Sequence, residues 1–300
     1  MMLKKLNSLR RKLGQLDAIL HELHWIRLAL GRIEQRQYGL ETAGADVCEF
    51  KVFSQWGEDG IIQWLIHHIK ISRPVFIEFG VQNYLESNTR FLLINNNWSG
   101  LVIDGSQENI EYIKHDEIYW RYNLKAACKF ITAENINDIF RENGIEGKIG
   151  LLSIDIDGND YWVWKAIDVV EPDIVICEYN HIFGKDRAVV VPYEPGFMRE
   201  QAHSSCLYFG ASIQAFVALA HKKGYGLVAC NRNGNNLFFV KKVLLNDMVR
   251  ERTVEDVFVH GQFREGRMPD GRLAFFSLEQ AQKILNSLPV LDISNDEDGI

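Results

Sequence analysis

The chain has 300 residues, with 33 Lys+Arg against 40 Asp+Glu for a formal charge of −7, 47% hydrophobic and 24% charged residues. These proportions exclude a disordered chain, and the acidic balance argues against a general nucleic-acid binder, which is usually basic. Five cysteines (Cys48, Cys128, Cys177, Cys206, Cys230) are odd in number, scattered and never in a CxxC pair, as buried free thiols in a reducing compartment are.

Residues 1–40 read as an amphipathic, coiled-coil-like helix. Leu9, Leu16, Leu23 and Leu30 recur every seven positions, Leu6, Leu13 and Leu20 fall three before them, and Arg27 breaks that seam. Within residues 1–32, seven basic side chains face two acidic ones, so the segment carries +5 and the remainder −12. Three roles fit: homo-oligomerisation, peripheral contact with an anionic membrane surface, or packing on the chain's own domain. The charged N-terminal region lacks the apolar core of a signal peptide, and no window reaches the ~18 apolar residues of a membrane span. A cytoplasmic location, or a peripheral one at the inner membrane surface, is expected.

A linker over 34–50 leads into an alternation of strands and helices. Strands are predicted at 75–80, 100–105, 120–126, 149–157 and 173–180, with helices near 84–96, 107–115, 134–143 and 160–168. Their continuous apolar strands imply a parallel sheet covered on both faces. An irregular stretch, 181–209, and a helix near 211–223 follow. Strands at 225–231 and 235–242, joined by Arg232-Asn233-Gly234, read as an antiparallel hairpin. The last part, 243–300, has one predicted helix near 277–287, an acidic tail and no legible chemistry.

Ligands of an open parallel sheet bind beyond the carboxyl ends of its strands. Strand one ends Glu78-Phe79-Gly80-Val81-Gln82-Asn83, where Gly80 permits close backbone approach and GxGxxG is absent, against a dinucleotide. Strand two ends at Asp104, 26 positions on, followed by Gly105 and Ser106. An acid there suits the hydroxyls of a ribose, or caps the next helix.

These residues, with the strand order, resemble a class I S-adenosylmethionine-dependent methyltransferase, whose sheet ends in a reversed hairpin. FSQWGEDGII (53–62), FIEFGVQNYLESNT (76–89) and LLSIDIDGNDYWVWKAI (151–167) are similar to its FkbM-type branch. The resemblance covers roughly 50–242 and leaves the arm and 243–300 outside. It implies a Rossmann-like α/β fold with a doubly wound, mostly parallel seven-stranded sheet, S-adenosylmethionine as cofactor, and O-methylation of a sugar, glycan or secondary metabolite. By position, Glu78 and Gly80 would face the methionine moiety and Asp104 and Gly105 the ribose. Ser106 would lie beside ribose and adenine, and Asn123, at the end of strand three, near the adenine. Asp155 would line the cofactor site too, and Asn83 would stand in for a family glycine by adopting left-handed angles. The FSQWGEDG segment, which includes Gln55, is either a lid over the cofactor or a capped helix start.

Strand four ends Asp155-Ile156-Asp157, and period-two alternation puts both acids on one face. With Glu178 and Asn180 from strand five, Asp157 and Asp155 would form an oxygen ligand set suited to Mg²⁺, or bind cofactor and substrate without metal. His181 is the candidate general base, being titratable near neutral pH, with Asp157 as alternative. The loop 181–209, with Tyr193, Arg199, His203 and Tyr208, would cover the acceptor. Two rival readings are a DxD glycosyltransferase using Asp155 and Asp157, and a catalytically inactive methyltransferase fold that recruits partners through its arm.

Overall fold

The computed structural model describes residues 2–38, 44–261 and 266–294. The chain opens with α1 (Met2–Tyr38) and α2 (Glu58–His68), then alternates β1 (Val75–Phe79), α3 (Arg90–Asn96), β2 (Ser99–Asp104), α4 (Gln107–His115), α5 (Glu117–Arg121) and β3 (Leu124–Cys128). It continues through α6 (Ile136–Glu142), β4 (Gly147–Ile154), α7 (Asp160–Ala166) and β5 (Val170–Glu178). The long loop holds β6 (Val189–Val190) and α8 (Arg199–Ala202), before α9 (Ile213–Lys222) and the hairpin β7 (Tyr225–Cys230) and β8 (Asn236–Lys241). Short elements finish the chain: α10 (Val254–Val257), α11 (Leu278–Leu285) and β9 (Leu291–Asp292), which pairs with β6.

The main sheet runs β3-β2-β1-β4-β5-β8-β7. The first five strands are parallel, while β8 is antiparallel to β5 and β7 to β8. The expected doubly wound sheet with its reversed terminal hairpin is therefore present. Every residue of β1 is buried because both faces are covered. Ile77, Phe79, Leu101 and Ile103 pack with Phe140, Trp164 and Phe216 of α6, α7 and α9. Phe76 and Val102, on the other face, pack with Leu65, Leu92 and Ile110 of α2, α3 and α4. The same alternation turns Glu78 and Asp104 toward the α2–α4 side. Phe76 fits because position 100 is glycine, where a Cβ would lie 2.2 Å from its ring.

Three boundaries differ from expectation, each through local hydrogen bonding. Asp116 caps a separate short helix through Ile118 N, so α5 occupies 117–121 and β3 begins only at Leu124. Residues 81–89 form a loop tied to Glu78, and α3 starts at Arg90. Strand β4 ends at Ile154, so Asp155 and Asp157 lie in the turn that follows it.

The FSQWGEDG segment is a stapled helix start. Asp59 Oδ2 accepts from the backbone N–H of Val52, Phe53 and Ser54 and from Ser54 Oγ. Glu58 Oε2 accepts from Trp56 and Gly57 N–H, while its Oε1 accepts from the side chains of Asn231 and Asn236. Glu58 thus fastens α2 to the terminal hairpin. Glu58→Ala strips four donors of their acceptor and is expected to cost about 2–4 kcal/mol. The denaturant midpoint should fall with an unchanged m-value, and a change below ~0.5 kcal/mol contradicts this role.

Candidate active site

The site begins where β1 ends. Gly80 has φ +66°, and a Cβ there would lie 1.7 Å from the carbonyl oxygen of Asp155 on the neighbouring strand end. Only glycine fits this crossing. Gln82 (φ +47°) and Tyr84 (φ +62°) are also left-handed, at a cost of order 1–3 kcal/mol each. Their surroundings hold them there: Gln82 N–H donates to Asp104 Oδ2 at 2.8 Å, and the Tyr84 hydroxyl bonds Thr89 Oγ1 at 2.9 Å. The left-handed geometry expected of Asn83 falls on its two neighbours, because Asn83 instead caps Leu85 N–H through Oδ1.

Beyond these turns lies a cavity of about 210 Å³ lined by Gly80, Gln82, Asp104, Gly105, Phe130 and Asp155. A recess of about 100 Å³, lined by Gln55, Glu78, Asn88 and Asn236, shares Gly80, Gln82 and Asp155 with it. One crevice therefore gathers Gln55, Glu78, Gly80, Asp104, Gly105 and Asp155. Ser106 borders it as the N-cap of α4, accepting from Asn109 N–H. Asp104 Oδ1 accepts from Ser106 N–H and the Asn109 side chain, which fixes the carboxylate toward the cavity mouth. Asn123 is misplaced by the sequence reading. It precedes β3, and its carbonyl accepts from Gly100 N–H at the amino-terminal edge of the sheet, opposite the crevice. The residues that follow β3, Lys129, Phe130 and Ile131, line the cavity instead. The strand shift caused by Asp116 hid them.

Asp155, Asp157 and Glu178 bring one oxygen each within 4.8 Å of one another. Asp157 reaches the group through a left-handed backbone (φ +55°), which replaces the strand alternation expected of it. Asp160 Oδ1 and Oδ2 accept from Ile156 and Gly158 N–H and hold this turn. Burial, reinforced by the neighbouring carboxylates, pushes Asp155 and Glu178 well above the usual carboxylate range. Glu178 Oε2 is buried without a hydrogen-bond partner. Arg199, from the long loop, stacks on Phe209 and donates to Asp157 Oδ1 at 2.7 Å, placing a resident cation beside the acids. Asn180 does not join them. Its amide donates to the Leu207 and Phe209 carbonyls and accepts from Ile182 N–H, so it pins the loop rather than a metal. The three carboxylates offer the hard oxygen donors that a cation such as Mg²⁺ takes.

A second cavity, of about 280 Å³, has Arg199 in its wall. His181, His260 and Phe209 line it, and the C-terminal part, which carried no legible chemistry, supplies Gly261, Phe276, Leu278 and Ala281. Gly261 lies flat on His181, where a Cβ would come within 2.3–2.4 Å of the imidazole. Burial, and then His260, push His181 down to about 4. The imidazole is neutral at physiological pH and a weak base, which corrects the role expected from its ordinary titration. It lines this cavity and not the crevice at the strand ends.

The sequence matches no family model and no curated protein. Its fold is similar to solved structures at low identity. The N-terminal domain of EvdMO1 with SAH bound shows 11% identity over 63% of this chain and 82% of that one, with a TM-score of 0.41. An O-methyltransferase from Bacillus cereus in complex with SAH shows 13% over 56% and 74%, at 0.35. An S-adenosylmethionine-dependent methyltransferase from Clostridium acetobutylicum shows 12% over 55% and 83%, at 0.33. Likeness at this level assigns no activity.

Among the described residues no helix is long and apolar enough to cross a membrane.

The buried acids set a pH dependence. Burial raises Glu78 to about 7 and Asp59 and Asp160 to about 6, and raises Asp155 and Glu178 as well. The folded state therefore holds protons that the unfolded chain releases, so this stability is present at low pH and lost as pH rises through 6–7. His181 acts oppositely, but mainly below pH 6.5. The ligand-free protein should melt a few degrees lower at pH 8 than at pH 6, with the slope flattened in Glu78→Gln. A rising or flat melting temperature across that interval contradicts the assignment.

Proposed function

We propose that the protein is an S-adenosylmethionine-dependent O-methyltransferase that acts in the cytoplasm on a hydroxyl of a sugar, glycan or secondary metabolite. One observation carries this reading: the crevice holds a glycine at Gly80, an acid at the end of β2 and Asp155 and Asp157, with buried Glu178 within reach of both, and Arg199, bonded to Asp157, lines a second cavity. The quoted segments at 53–62, 76–89 and 151–167 support the FkbM-type branch in particular.

The crevice fits that cofactor on its own terms. The space a Cβ at Gly80 would take is left to backbone, Asp104 faces the mouth where ribose hydroxyls would bond, and half-exposed Phe130 offers a face for a purine. Glu78 and Asp155, lining the recess, suit an amino group and a cationic sulfur. When bound, S-adenosylmethionine supplies a methyl group on a sulfonium centre.

The chain's own task is to orient a hydroxyl in line with that methyl and remove its proton. Glu178 is the base this geometry favours over His181 and Asp157. Burial and the neighbouring Asp155 raise its proton affinity above that of an ordinary carboxylate, and Oε2 has no competing donor. Asp157 is engaged by Arg199, which lines the second cavity and would position the acceptor there. The apolar cavity walls exclude water from the transfer. Where a divalent cation is used, Asp155, Asp157 and Glu178 would hold it, and it would acidify the hydroxyl. The Arg199–Asp157 pair weighs against a DxD site for a sugar nucleotide.

Titration calorimetry tests the cofactor. S-adenosylmethionine should bind, and Asp104→Ala should weaken it at least about tenfold by loss of charge-assisted hydrogen bonds. No binding to the parent chain, or undiminished binding to the variant, counts against the reading. Glu178→Gln should leave cofactor affinity within about threefold and slow labelled-methyl transfer to hydroxyl acceptors by roughly 10²–10⁴. Unchanged transfer removes Glu178 as the base.

A further inference from the structure

Helix α1 docks on the domain by a mixed face, and its described residues leave an apolar face on the opposite side exposed. On the first, Leu28 is fully buried, and Gly31 abuts Val52 so closely that a Cβ would lie 2.3 Å from its methyl. Arg32 and Gln35 bond Asn95, and Arg27 stacks on Phe53. Arg27 is thus a docking residue and does not interrupt the other face. That face consists of Leu16, Ile19, Leu23, Ile26, Leu30 and Ile33, each 51–57% exposed. Their spacing alternates three and four, and at 100° per residue their mean direction lies roughly opposite Leu28. The seam is therefore Leu at one heptad position and Ile at the other, with Leu20 on its flank.

We propose that this seam is covered by the same helix of a second copy of the chain, running antiparallel about a two-fold axis. The two-fold register pairs Leu16 with the Ile33 position, Ile19 with Leu30 and Leu23 with Ile26, closing every layer with one Leu and one Ile over about 27 Å. Charge selects the direction. Lys12 holds the next seam position, and a parallel pair would set it against its own copy. The antiparallel pair sets it opposite Gln37, a polar end layer. It also directs the +5 arm of each copy toward the −12 remainder of the other, whereas parallel pairing would gather both basic arms together. Because each domain sits on the far side of its helix, both domains lie outside the pair.

Light scattering on the full chain at micromolar concentration should give twice the 34.6 kDa chain mass. Leu23→Arg/Ile26→Arg should halve it while leaving the melting temperature of the domain within a degree or two, since both side chains are exposed. Direction is read by oxidation: Leu16→Cys/Ile33→Cys should give a cross-linked dimer above the level of the parent with its five cysteines, and Leu16→Cys alone should not. A monomeric parent overturns the proposal, and a monomer that binds phosphatidylserine vesicles points to the membrane surface instead. Cross-linking by Leu16→Cys alone overturns the antiparallel direction.

Discussion

Everything at the carboxyl edge of this sheet depends on how carboxylates taken out of water are satisfied. Removing an ionised acid from solvent costs several kcal/mol unless donors replace the water. Asp59 receives four donors, Glu58 four and Glu78 three. Glu58 divides its four between its own turn and the terminal hairpin, while for Asp59 and Glu78 all of those donors belong to one turn, so the acid sets the shape of the loop around it. Asp160 does the same for the turn after β4. Glu178 is different: its Oε2 is buried without a donor, as Asp59 Oδ1 is, but it sits among the acids Asp155 and Asp157 rather than inside a helix start. The same residue type is architecture where it closes a turn and chemistry where it meets other acids.

That distinction explains what the sequence revealed and what it hid. Apolar runs such as VFIEF and SGLVID announce buried parallel strands and Asn233-Gly234 the reversed hairpin, so these were legible, as was the cluster of acids at the strand ends, while the doubly wound order came from the resemblance. The bonding state of each acid was not legible, because it depends on partners up to 178 positions away, as between Glu58 and Asn236. Asn123 was lost to a local competition: Asp116 captured five residues for a helix and moved the strand start past it. His181 carries the right side chain for a base, yet its burial beside His260 strips that property from it. Arg199 sits in an irregular loop with no periodicity to mark where its guanidinium goes.

The long loop and the C-terminal part belong together, although α9 and the terminal hairpin lie between them in the sequence. Pairing of β6 with β9, and contact between α11 and residues 181–183, fold the end of the chain back over the loop. Asn180 nails the loop's far end to the sheet through two carbonyls. The second cavity is the space left between these layers, which is why its walls come from such distant stretches of chain.

The footing of α1 reaches further than its role as an arm suggests. Leu28 packs with Val52, Phe53 and Phe91 as one small cluster, and the backbone of Val52 and Phe53 hangs on Asp59. Two residues later the same turn presents Gln55 to the crevice. A torque on the helix is thus delivered through a short, fully bonded lever to the lip of the ligand recess. By reciprocity, whatever steadies Gln55 also stiffens the base on which the helix stands.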